Sequence, residues 1–230
     1  MEIITMGKKE LKKELFDHHI DVSEEIIKEM MYLNKPVGSL WGSTFTPNEK
    51  HCSDWVRWCD ESTYRPADYG VIYSLHKNAR IYTIDSQEDL GELVRRYPAF
   101  DDRELNVPGR RRKVYLNFGE ISKDFDVIHL TDKGNIANHS YFNMAEVEIQ
   151  GDKYSVFSLN SWDVETWLIL NFDAVDLQSV RLYEKINESR SENEKEVLRN
   201  VVSELKAFAR HYDTPMITSS SNGLGGDLNE

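Results

Sequence analysis

The sequence predicts a mixed, strand-rich α+β domain. Short runs of β-branched, aromatic and apolar residues recur along the chain, as at Val71 to His76, Asp126 to Thr131 and Thr166 to Phe172, and their lengths suit strands better than helices. Between them lie segments that open on capping residues and repeat apolar side chains on one helical face, as in Ser23 to Leu33 and Ser191 to Tyr212. With 230 residues, 40% of them hydrophobic and five of them Trp, the chain can build a single core.

Composition also excludes function classes. A net charge of -12 is the wrong sign for a protein that coats nucleic acid by general electrostatic attraction. No apolar run is long enough to span a bilayer, and Met1-Glu-Ile-Ile-Thr5 lacks the features of a secretory signal, so a cytoplasmic protein without a membrane partner is expected. Cys52 and Cys59 lie seven apart and do not form a Cys-x-x-Cys pattern, which makes them reduced packing thiols. The His18-His19 and His51-Cys52 pairs have no second pair at ligand spacing, and no metal is expected.

Taken in order, Glu2 to Met6 reads as a first strand ended by a turn at Gly7, and Ser23 to Leu33 as a helix stopped by Asn34-Lys-Pro36. Gly38 to Pro47 mixes small residues with Trp41 and Phe45, as a strand does where backbone approaches a ligand. Ser53 caps a short helix carrying Trp55, Val56, Trp58 and Cys59. Val71 to His76 and Arg80 to Ile84 flank Lys77-Asn78, the pattern of a tight hairpin. Ser86-Gln-Glu-Asp89 resembles a capping box opening a helix through Leu90, Leu93 and Val94. Val114 to Phe118 and Asp126 to Thr131 look extended, and residues 132 to 143 read as a polar loop. Ala145 to Ile149, Tyr154 to Leu159 and Thr166 to Phe172 crowd three strands together, which favours antiparallel neighbours. Ser191-Glu-Asn-Glu194 caps an amphipathic helix over 191–212, and residues 215–230 are expected to be a disordered tail after a single domain of residues 1–214.

Two features carry chemistry. Glu165 directly precedes an apolar strand, where a carboxylate either faces solvent as a cap or lines a cleft. The basic run Arg110, Arg111, Arg112 and Lys113 is either a solvated turn or a contact for substrate phosphates.

The ordered motifs Asn34-Lys-Pro-Val-Gly-Ser-Leu-Trp-Gly-Ser43, Trp55-Val-Arg-Trp-Cys59, Ala79-Arg-Ile-Tyr-Thr-Ile-Asp85, Phe125-Asp-Val-Ile-His-Leu130 and Trp162-Asp-Val-Glu165 resemble small bacterial and phage proteins of the ADP-ribosyltransferase-like fold. The resemblance covers roughly residues 1 to 176 and leaves out the C-terminal helix. It implies a split antiparallel sheet with flanking helices that clasps NAD as co-substrate. Glu165 then falls at the catalytic position, where a fixed carboxylate offsets the charge of an oxocarbenium-like ribose. Leu40-Trp-Gly-Ser-Thr44 falls at the middle element, so Trp41, Gly42, Ser43 and Thr44 would contact NAD, with Trp55 walling the pocket and Gly7 admitting the backbone. Thr5-Met-Gly-Lys8 departs from the pattern, since many members carry Arg or His there.

The implied activity is mono-ADP-ribosyl transfer to a macromolecule, nucleic acid or protein, as in a toxin or antiviral defence effector, with an antitoxin or other protein as partner. Loss of the first-strand residue points instead to an inactive interaction protein, and water as acceptor would give an NAD glycohydrolase. His129 and His139 are further candidates, with a satisfied core histidine the default for His129.

Overall fold

The computed structural model describes residues 1–13, 35–36, 38–47, 51–62, 68–100, 112–139, 145–156, 158–159 and 161–184, all within the compact unit Met1–Lys185. The expected helices at Ser23 to Leu33 and 191–212, and the tail 215–230, lie outside the described residues.

The described residues form a mixed α+β structure with two sheets and four α-helices. The larger sheet contains β1 (Ile3–Met6), β2 (Leu40–Thr44), β3 (Tyr69–Leu75), β4 (Ile81–Ile84), β7 (Val127–Leu130), β10 (Thr166–Ile169) and β11 (Val175–Glu184), in the order β11-β3-β1-β2-β10-β7-β4. Its pairs are antiparallel except β4 with β7. The smaller sheet has the order β5-β6-β9-β8, from β5 (Pro98–Ala99), β6 (Lys113–Leu116), β8 (Glu146–Ile149) and β9 (Asp152–Val156).

Alternation along the central strands separates two cores. On one face Ile3, Leu40, Tyr73, Val127, Trp167 and Ile169 pack together. On the other face there are two clusters. Ile128, Leu130 and Leu168 join Trp162, helix α2 (Gln87–Arg96) and the smaller sheet, while Ile4 and Ile72 pack with Cys52 and Val56 beside helix α1 (Asp54–Glu61). The seam between those two clusters runs over β1, β2 and β10.

Several local signals hold. Ser53 accepts from the Val56 amide and caps α1, and Ser86 accepts from the Asp89 amide and caps α2. Asp89 reaches back to the amide of Asp85 rather than of Ser86, as its carboxylate also takes the Ser86 hydroxyl. Gly7 closes the first turn at φ 79°, with its amide on the Tyr69 carbonyl. Both cysteines are buried thiols outside any disulfide.

Other expectations are corrected. β3 and β4 do not form a hairpin: β3 lies between β1 and β11, while β4 pairs in parallel with β7 at the far edge. The chain between them fits a tight turn, but partner choice follows burial. β3 carries the buried run Gly70 to Tyr73 into the sheet, whereas β4 keeps Ile81 and Thr83 exposed, as an edge strand can. The polar loop expected from residue 132 begins as helix α4 (Asp132–Asn138), capped by Thr131, and Phe118 opens helix α3 (Phe118–Asp124), capped by Asn117. Of the three crowded strands, β8 and β9 do pair, but β10 leaves them for the larger sheet between β2 and β7.

Candidate functional site

A cavity of about 310 Å³ opens at the seam between the two clusters, at the low end of the roughly 300 to 1,000 Å³ usual for small-molecule sites. Ile4, Met6, Trp41, Gly42, Ser43, Trp55, Trp162 and Thr166 line it, with Lys35, Ser161, Asp163 and Val164. Three Trp side chains give it flat, apolar walls. Trp162 is buried and stands edge-on to Trp41 at 5.0 Å, while Trp55 stacks on Trp58 at 5.1 Å and 18°. Such walls suit a planar ring. Lys35 brings a cation, its ammonium 3.9 Å from Asp163 and 5.8 Å from the Trp41 ring centre.

Gly42 explains how the cavity fits into the sheet. A Cβ there would lie 2.6 Å from Ile3 Cγ2 and 3.0 Å from the Ile4 carbonyl oxygen, so the packed face behind the cavity leaves room only for glycine.

Glu165 sits at the end of the same strands but turns its side chain to the other face. It is 6% exposed, and its carboxylate is held by donors from two neighbouring strands. The Thr44 amide donates to Oε2 at 2.9 Å, and the Thr44 hydroxyl donates to Oε1 at 2.9 Å. His129 Nε2 also meets Oε1 at 2.9 Å. The Glu165 carbonyl takes the Ser43 hydroxyl at 2.9 Å, so backbone and side chain are both fixed to β2. Trp167 Nε1, which can only donate, bonds Thr44 Oγ1 at 3.0 Å and thereby directs the Thr44 proton to Glu165.

A carboxylate pair stands nearby. Asp54, the residue before cavity-lining Trp55, is hydrogen-bonded to Asp132 at the start of α4 and ion-paired with Arg57 at 2.8 Å. Burial pushes the Asp54 carboxyl up to about 6, and the charges of Asp132 and Glu165 add to that while Arg57 opposes it.

Of the residues expected at a site, Trp41, Gly42, Ser43 and Trp55 do line the cavity. Thr44 and Glu165 meet each other on the opposite face of the sheet instead. Gly7 shapes the turn after β1 and does not line the cavity. Arg110 and Arg111 lie outside the described residues. Arg112 is paired with Asp152 at 3.0 Å, and Lys113 opens β6; neither lines the cavity. In the first strand Thr5 is buried, its hydroxyl on the Trp41 carbonyl at 2.8 Å, while the neighbouring Met6 faces the cavity. Lys35, Trp162 and Asp163 were missed as site residues, and Thr44, expected to contact NAD, and His129, a further candidate, were not recognised as the partners of Glu165. His129 was the one with a signal, two positions from Val127 on a recognisable strand. Comparison with protein-family models, curated proteins and solved structures finds no match to this chain.

Proposed function

We propose that the chain is an NAD-dependent mono-ADP-ribosyltransferase acting on a macromolecular acceptor, protein or nucleic acid. The observation that carries the reading is the fixation of Glu165. Among the described residues Oε1 has two partners and Oε2 has one, which leaves a lone pair of Oε2 for a substrate hydroxyl. In the proposed reaction the bond between nicotinamide and ribose breaks, nicotinamide leaves as the neutral base with the electron pair, and a nucleophile of the acceptor takes its place on the sugar and releases its proton to solvent. Glu165 holds a ribose hydroxyl and offsets the positive charge that develops. The Trp-walled cavity takes the flat ring, the adjoining sugar reaches past the strand ends to Glu165 on the other face, and the ordered motifs of the sequence support the same assignment. The two-sheet architecture is compatible with the split sheet of ADP-ribosyltransferase-like proteins.

Incubation with labelled NAD and separate protein, RNA and DNA fractions tests this. Label should appear in one fraction, and Glu165→Gln should lower transfer by about a hundredfold or more. Free ADP-ribose as sole product would make the chain a glycohydrolase. Label that persists in Glu165→Gln removes Glu165 from the mechanism.

A second reading, a binding protein without transfer, is favoured by one observation. The first strand offers the cavity Met6 rather than a cation, and the Glu165 side chain is not in the lining. NAD bound without turnover would select it.

A further inference from the structure

We infer that His129 is a positioning residue that fixes Oε1 of Glu165, so that Oε2 alone meets the substrate. The inference rests on the reading of Glu165 as the reacting carboxylate.

His129 lies on β7 directly opposite Trp167 on β10, and the two rings stack with centres 3.6 Å apart and planes 11° from parallel. On its other side His129 is in register with Thr83 of β4, so its backbone is held between two strands. The stack sets the plane of the imidazole, and in that plane Nε2 meets Glu165 Oε1 at 2.9 Å. The contacts close a circuit. His129 stacks on Trp167, Trp167 Nε1 donates to the Thr44 hydroxyl, that hydroxyl donates to Glu165, and Glu165 returns to His129. Because Thr44 Oγ1 accepts from the indole, its own proton goes to Oε1, and since a carboxylate only accepts, the bond at Nε2 places a His129 proton there.

The circuit has a geometric consequence. A carboxylate anchored only by Thr44 could tilt about the Cγ–Cδ bond, but a second donor on Oε1 from a different strand opposes that. The free lone pair of Oε2 is then aimed in one direction. The His129 side chain is 18% exposed and its Nε2 is engaged, so it acts through Glu165.

The test compares His129→Phe, which keeps a ring for the stack and removes the donor, with His129→Gln, whose amide supplies an N–H again. His129→Phe should lower kcat by about ten- to a hundredfold while KM for NAD stays within about twofold. His129→Gln should recover most of that loss. The double variant His129→Phe with Glu165→Gln should be no slower than Glu165→Gln alone, since the two residues act as a unit. If His129→Phe does not fold, His129→Asn, whose amide is too short to reach Oε1, serves in its place with the same expected loss of kcat. Unchanged kcat in a folded variant, a change confined to KM, or losses that multiply in the double variant would overturn the inference and leave the transferase reading standing. A wild-type protein that turns over no NAD overturns both.

Discussion

At the residue scale the question posed by Glu165 is why a carboxylate precedes an apolar strand. An acid that merely capped the strand would be solvated, yet this one is buried and takes its hydrogen bonds from Thr44 and His129. Burial of that kind requires partners, and the chain supplies them from β2 and β7. The position was legible in the sequence because an acid stands out against Thr-Trp-Leu-Ile. Its partners were not, because they lie 121 and 36 residues away and meet it only through strand register. Trp55 carries a separate prediction. It lines the cavity, is only half-buried and stacks on Trp58, so it can contribute to a ligand more than to the core. Trp55→Ala should weaken NAD binding, read by quenching of tryptophan fluorescence, by about tenfold, the scale of one lost ring stack. Its thermal midpoint should remain close to that of the wild type. A large fall in stability with unchanged affinity would make Trp55 a core residue instead.

At the element scale, capping chemistry was the most dependable guide. Ser53 and Ser86 open α1 and α2 where the sequence places them. The same chemistry is present at Asn117 and Thr131, which cap α3 and α4, but those helices are seven residues long and too short to display a helical period. Strand pairing was less legible than strand existence. The Lys77-Asn78 turn suggested a hairpin, yet the neighbours of each strand are set by which faces must be buried, and that information lies elsewhere in the chain. Gly134 shows the precision of one such contact. A Cβ at this position would stand 2.0 Å from the Ile84 carbonyl oxygen and 2.8 Å from its carbon, atoms that cannot swing aside as a side chain can. The first turn of α4 therefore packs on the end of β4 with no space for a methyl group. Gly134→Ala should destabilise the protein by about 3 kcal/mol or more, despite alanine's better helix propensity. Urea unfolding measures this directly, and an unchanged midpoint would show that α4 can move off β4 at little cost.

At the scale of the whole molecule, the larger sheet brings together distant parts of the chain, with β1, β2 and β10 as neighbours. This is why ordered motifs scattered over the sequence can converge at one end of the sheet, and why no single motif displays the site. The pH dependence of global stability follows from charges held in that structure. Asp126 and Asp85 have carboxyls lowered below 3.8, chiefly by the hydrogen bonds of Arg80 and of Lys133. They contribute stability above their ordinary value that is lost as pH falls through the lowered one. Asp54 acts in the opposite sense. Its carboxyl is raised from 3.8 to about 6, mainly by burial, so the folded state holds a proton that the unfolded state has already released. Between those two values the folded state binds more protons, and stability must fall as pH rises. The two effects occupy different windows, the first in acid below 3.8 and the second between 3.8 and about 6. Asp54→Asn replaces the proton-sharing carboxyl with a neutral amide that can still donate to Asp132. In urea unfolding from about pH 4 to about pH 7, this variant should show a shallower decline in stability than the wild type. The acid limb, set by Asp126 and Asp85, should be unchanged. An equal slope in both proteins would mean that the Asp54–Asp132 pair does not hold its proton in the folded state.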